Sequence, residues 1–169
     1  MLRLVPDKIF ESIRDIDAAV LEKENIHALI LDIDNTLAPR HAELPDEAII
    51  TWVEGLKKAD VKLYIISNNH QNRVARISKS LGLPFRCNGL KPFPHSFHRA
   101  VQEMMANREN CAAVGDQIFT AVLGSRFAGV KAWLVKPIDT NDGVLLKIRR
   151  YFERPFIKKY YTENGGSAN

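Results

Sequence analysis

Cysteine is scarce in this chain of 169 residues: Cys87 and Cys111 are the only two, and neither belongs to a Cys-x-x-Cys pair or lies beside clustered histidines. That excludes a disulfide framework and a zinc site of the usual spacing, and a reducing cytoplasm is the expected compartment. Long apolar runs are missing too. None approaches the roughly 18 residues needed to cross a bilayer, and Met1-Leu2-Arg3-Leu4-Val5-Pro6-Asp7 has no apolar stretch long enough for a secretory signal. Neither an integral membrane protein nor an exported one is expected. Internal repeats and low-complexity domains are also lacking, so a single domain over residues 1–163 with a short flexible tail at 164–169 is the expected organisation.

Charge is nearly balanced, since 24 Lys and Arg against 20 Asp and Glu leave +4, but it is unevenly placed. Lys147, Arg149, Arg150, Arg154, Lys158 and Lys159 face Glu153 alone, interleaved with Tyr151, Phe152, Phe156, Ile157, Tyr160 and Tyr161. A basic, aromatic segment at 141–161 suits peripheral contact with an anionic membrane, at the inner membrane surface. The preferred reading is a final helix that packs on the sheet and turns a charged face to solvent. No nucleic-acid-binding motif accompanies the moderate pI, and no nucleic acid partner is expected.

Residues 7–22 read as an amphipathic helix, because Ile9, Phe10, Ile13, Ile16, Val20 and Leu21 recur near a 3.6-residue period. From there short apolar runs at Ala28–Leu31, Leu63–Ile66, Cys111–Val114 and Lys131–Val135 alternate with helix-like stretches at 46–59, 70–81, 94–106 and 117–128, and Phe85–Cys87 adds a short strand. Strands apolar throughout, with a helix between each and the next, predict a Rossmann-like three-layer α/β/α sandwich around a mainly parallel, five-stranded sheet. Ligands of such sheets bind beyond the carboxyl ends of the strands, so the residues there matter most.

The first long strand runs into Asp32-Ile33-Asp34-Asn35-Thr36. Residues two apart in an extended chain project together, and two adjacent carboxylates suit either a hard metal ion or a nucleophile beside a protonated acid. The next strand ends in Ser67-Asn68-Asn69, small hydrogen-bonding side chains at a helix N-terminus that offers donors to an anion. Lys91 follows in a turn stiffened by Pro92 and Pro94, and a later strand ends in Gly115-Asp116-Gln117. Three carboxylates, a hydroxyl and an ammonium on one rim are what phosphoryl transfer requires.

LILDIDNTL, IISNN, Lys91-Pro92 and AVGDQ, in that order over about residues 28–136, resemble the four motifs of the haloacid dehalogenase (HAD) superfamily. With the leading helix, KPFP and GDQIFT, the chain is similar in particular to the capless YqeG-type family, related to mitochondrial phosphatidylglycerophosphate phosphatases. The resemblance implies that Asp32 attacks phosphorus to form an aspartyl-phosphate and that Asp34 serves as acid and then base. Ser67, Asn68 and Lys91 would hold the phosphoryl oxygens. Asp32, the backbone carbonyl of Asp34 and Asp116 would bind Mg2+, with Thr36 and Gln117 in support. The intervals between motifs leave no space for an inserted cap domain, so the site should be open to a phosphorylated small molecule or a lipid headgroup. Arg40 and His41, in the loop after the first motif, fall where relatives place a short flap.

One position departs from the pattern. Text like GDQxxTD in the family supplies a second acid where this chain has Ala121, which implies weaker magnesium binding. A catalytically weak or inactive binding protein is therefore the alternative to a magnesium-dependent phosphomonoesterase. A receiver-type signalling domain fits less well, because it carries its phosphorylated aspartate after a later strand.

Overall fold

The strands follow from residues that are buried on both sides of one sheet. In the computed structural model, which describes residues 4–89, 91–140 and 143–165, they are Lys8–Phe10 (β1), Ala28–Leu31 (β2), Lys62–Ile66 (β3), Phe85–Arg86 (β4), Cys111–Gly115 (β5) and Lys131–Val135 (β6). They form one sheet in the order β1-β6-β5-β2-β3-β4. Every pairing is parallel. Helices cover both faces: Ala18–Lys23 (α1), Glu47–Lys58 (α2), Gln71–Leu81 (α3), His95–Glu103 (α4), Leu123–Ala128 (α5) and Val144–Glu163 (α6).

Side chains alternate between the two faces of a strand, and the core divides accordingly. Leu29, Leu31, Leu63, Ile65, Val114 and Trp133 pack under Ile49, Val53 and Leu56 of α2 and Val74, Ile77 and Leu81 of α3. On the other face Ile30, Tyr64, Ile66 and Ala113 meet Phe97, Ala100 and Val101 of α4. Ala132 and Leu134 meet Ile118 and Val122, with Phe156 and Ile157 of α6 packed against them. From β2 the chain builds outward to β3 and β4, then crosses to β5 and β6 on β2's other side. The switch point, where open α/β sheets form a crevice, thus falls between the carboxyl ends of β2 and β5.

Two expectations are corrected. The sheet has six strands, not five, and residues 7–22 do not form one helix. Lys8–Phe10 pairs along β6, with Lys8 opposite Trp133 and Phe10 opposite Val135. Asp7 locks that edge, its backbone N–H donating to Ala132 O and its Oδ2 accepting from Ala132 N–H, both at 2.7 Å. Ser12 and Asp15 then form a capping box on a short 3-10 turn, and Asp17 caps α1 by accepting from Val20 N–H at 2.8 Å. The apolar period is real, but its members turn inward from successive short elements, Ile13, Ile16 and Leu21 buried and Ile9, Phe10 and Val20 partly so, and an open sheet edge outweighs local helix propensity. Of the tail expected to be flexible, residues 166–169 lie outside the described residues. Among the described residues no helix is long and apolar enough to cross a membrane.

Candidate active site

Asp32 follows β2 directly and is almost buried. Its Oδ1 accepts from Ile33 N–H at 2.8 Å and stands 2.6 Å from the Lys91 ammonium, which also donates to Ile66 O at 3.2 Å. Among the described residues Asp32 Oδ2 has no hydrogen-bond partner, so one carboxylate oxygen is held and the other is open. Lys91 is itself placed by Asn68, whose Oδ1 accepts from Lys91 N–H at 2.9 Å and whose Nδ2 donates to Lys91 O at 3.3 Å. A side chain read as a phosphate contact is thus also the clamp that aims the lysine.

Asp34 turns to a partner that the sequence did not announce. Arg73, in the first turn of α3, donates from Nη1 to Asp34 Oδ1 at 2.7 Å, from Nη2 to Pro39 O at 2.9 Å and from Nε to Ala42 O at 3.0 Å. One guanidinium therefore ties the motif loop to the segment that carries Arg40. Ser67 is wholly buried, its Oγ accepting from Asn69 N–H at 3.1 Å. It follows β3 as expected, but it is not among the residues lining the cleft. Thr36 is buried in the turn after Asp34 and braces it through its backbone N–H, which donates to Ile33 O at 3.1 Å.

The carboxyl end of β5 is gripped from α6. Asp116 has a fully buried carboxyl, and Arg150 donates from Nη2 to its Oδ2 at 2.8 Å. Arg149 donates to Gln117 Oε1 at 2.8 Å, and Gln117 Nε2 reaches Asp116 Oδ1 at 3.3 Å. Burial, then the neighbouring Asp32 carboxylate, pushes the Asp116 pKa up to about 6, against the pull of Arg150 and Arg40. The turn after Gln117 is a π-helical segment, Ile118–Val122, and Glu153 of α6 caps it by accepting from Phe119 N–H at 3.0 Å. Such single π turns recur at functional sites. Asp32, Asp34, Arg40, Asn68, Lys91, Gln117, Thr120, Leu145, Leu146 and Arg149 line a cleft of about 230 Å³ above these strand ends.

The family model for mitochondrial PGP phosphatases matches residues 2–139. A relative, the probable phosphatase YqeG of Bacillus subtilis (strain 168), is 35% identical over 153 residues, covering 90% of this chain and 89% of that one. This chain belongs to the mitochondrial PGP phosphatase family. Its fold is that of HAD phosphatases. The cobalt-bound deoxy-D-mannose-octulosonate 8-phosphate phosphatase of Haemophilus influenzae superposes with a TM-score of 0.56 at 16% identity, over 81% of this chain and 90% of that one. A putative HAD family hydrolase from Streptomyces avermitilis MA-4680 gives 0.55 at 19% identity, over 66% and 67% of the two chains. These two likenesses bear on the fold.

A divalent cation fits this family member's donors, though sparsely. Among the described residues no group of three His, Cys, Asp or Glu side chains could hold a metal, and Asp34 is turned to Arg73. Asp32 and Asp116 remain, a carboxylate pair in which burial first and repulsion from Asp32 second raise Asp116. Thr120 Oγ1 is buried beside the cleft without a hydrogen-bond partner in the protein. Two carboxylates, a neutral oxygen and water are a donor set that magnesium accepts. Ala121 is buried against Gly115, where even a single added Cβ would come within 2.6 Å of the Ala121 Cβ, and it borders a void of about 10 Å³ shared with Asp32 and Lys91.

The residues that reading by motif did not connect to the site are Arg73, Arg149 and Arg150. Arg149 and Arg150 belong to the basic cluster, whose excess of charge was the one available signal. Arg73 stands one helical turn beyond Asn69, a spacing that many surface arginines share.

Proposed function

We propose that this phosphatase hydrolyses a phosphomonoester through an aspartyl-phosphate on Asp32, with magnesium as its cation, and that its substrate is phosphatidylglycerophosphate or a small phosphate ester. The observation that carries the reading is the Asp32 carboxylate facing the cleft, one oxygen tied to Lys91 and the other open. The open oxygen bonds to phosphorus while the bond from phosphorus to the ester oxygen breaks. Asp34 is the residue that hands a proton to the departing oxygen. Water then attacks the phosphorus of the acyl phosphate and passes a proton to Asp34, which restores Asp32 and releases inorganic phosphate.

Lys91, Asn68 and Ser67 belong to the phosphoryl side of this reading, Lys91 offsetting charge that develops on the equatorial oxygens. Asp32, Asp116 and the Asp34 carbonyl would hold magnesium, with Thr36 and Gln117 in support, and the bound ion would supply Lewis-acid stabilisation of the same oxygens. Arg40 and Arg149 add two guanidinium groups to the cleft wall outside the four motifs. They suit a substrate with a second anionic group beyond the scissile phosphate, such as a phosphodiester, and peripheral contact with an anionic membrane belongs to the same reading.

Incubation with phosphatidylglycerophosphate in detergent micelles and magnesium is expected to release inorganic phosphate, and Asp32→Asn to release none. Equal release from that variant would overturn the mechanism. A second reading, a binding protein with little or no turnover, is favoured by Ala121 and by the arginine on Asp116. It is distinguished by magnesium or phosphate binding without release.

A further inference from the structure

α6 is inverted relative to an ordinary surface helix. Its one fully buried residue is an acid, Glu153, while Val144, Leu145, Ile148, Tyr151 and Phe152 are between 50% and 84% exposed. Positions 144, 145, 148, 151 and 152 have the i, i+1, i+4, i+7, i+8 spacing of a single helical face, an arc of about 120° at 100° per residue. Surface helices normally put such a stripe against the core. Here the opposite face does that work, with Arg149, Arg150 and Glu153 bonded to the fourth motif and Ile157 packed on the sheet. Contact with the site thus turns the apolar stripe to solvent.

The stripe has a cationic border. Lys147, Arg154 and Lys158 are exposed and lie in a narrow arc along one side of it, and the Arg154 guanidinium sits 5.7 Å from the Tyr151 ring centroid. The acids of α6 are Glu153, which is buried, and Glu163, at the helix end. A second copy docked on the stripe would bring two cationic borders together, whereas an anionic lipid surface neutralises the border and accepts apolar side chains at headgroup depth. The stripe is also continuous with the cleft, since Leu145 belongs to both.

We propose that α6 docks the protein on an anionic bilayer, its apolar stripe lying in the headgroup region and its first turn holding the cleft mouth at the lipid surface. The proposal gives a surface to the membrane contact of the phosphatase reading above, and what enters the cleft rests on that reading; the docking itself is argued from α6.

The test is co-sedimentation of the full chain with vesicles of phosphatidylglycerol and phosphatidylcholine, or phosphatidylcholine alone, at low salt. Binding to the anionic vesicles is expected, falling about tenfold or more in Ile148→Ser/Tyr151→Ser/Phe152→Ser and in Lys147→Glu/Arg154→Glu/Lys158→Glu. Both variants are expected to keep wild-type hydrolysis of p-nitrophenyl phosphate and a thermal midpoint within a few degrees, because these side chains are exposed. Asp32→Asn is expected to bind vesicles like wild type, so a failed mechanism and a failed docking surface read differently. No binding to anionic vesicles, binding that both triple variants retain, or a stripe-dependent dimer in place of vesicle binding would each overturn the proposal.

Discussion

Asp32 and Asp116 leave adjacent strands of one sheet, β2 and β5, yet the cations that face them come from different parts of the chain. Lys91 reaches Asp32 from the turn before α4, and it is fixed there by Asn68 and by the carbonyl of Ile66. Arg150 reaches Asp116 from α6, which begins beyond residue 139, where the match to the family model ends. The β2 half is therefore completed by the motifs themselves. The β5 half is completed by a helix that also leaves Val144, Leu145, Ile148, Tyr151 and Phe152 exposed. A cleft built this way links the state of its acids to the position of α6, and a change in one half should not reproduce a change in the other.

Removing the two cations is the sharpest way to separate the halves. Lys91→Ala is expected to lower turnover by about 10²–10³-fold, as loss of one oxyanion donor does elsewhere. Arg150→Ala is expected to act first on stability, at about 2 kcal/mol, less than a fully buried pair would lose because the Arg150 side chain is 23% exposed. The check is hydrolysis of p-nitrophenyl phosphate beside thermal unfolding. If Arg150→Ala unfolds at the wild-type temperature, α6 does not hold the β5 half.

The same comparison has a pH signature. Asp116 is raised from 3.8 to about 6 in the folded, metal-free protein, so the folded state binds the extra proton between those values. Stability from this group is full below about pH 4 and is lost as pH rises through 6, on the order of 3 kcal/mol in all. Thermal midpoints measured without metal from pH 4 to 7 should fall more steeply for wild type than for Asp116→Asn. Magnesium, which needs the carboxylate, should bind more tightly as pH rises across the same window. Equal slopes in the two proteins would place the proton elsewhere.

The smallest expected effect concerns Ala121. Ala121→Asp would set a third carboxylate beside Asp32 and Asp116, and a several-fold gain in magnesium affinity by calorimetry is the expected result. An unchanged affinity would mean that the two acids already suffice.

How far the sequence reveals all this differs along the chain for physical reasons. β2, β3, β5 and β6 are strands covered on both faces, so their apolar runs and the polar residues that follow are local signals. β1 is not local: Ile9 and Phe10 repeat with helical spacing, and only the open edge of β6 makes them a strand. Lys91 could be placed by its motif, but its aim depends on a pair of backbone bonds to Asn68, 23 positions away. The bond from Arg150 to Asp116 spans 34 positions and comes from a segment whose composition read first as a charged solvent face. Ser67 shows the converse, a residue legible by motif whose hydroxyl is engaged by Asn69 N–H. Arg73 carried no signal that separates it from a surface arginine until Asp34, Pro39 and Ala42 came together around it.

The most direct test of the central claim is hydrolysis of p-nitrophenyl phosphate by the full chain across a magnesium titration, with Asp32→Asn beside it. Metal-dependent turnover is expected in the wild type and none above background in the variant. Turnover that survives Asp32→Asn, or no turnover by the wild type at any magnesium concentration, would contradict that claim.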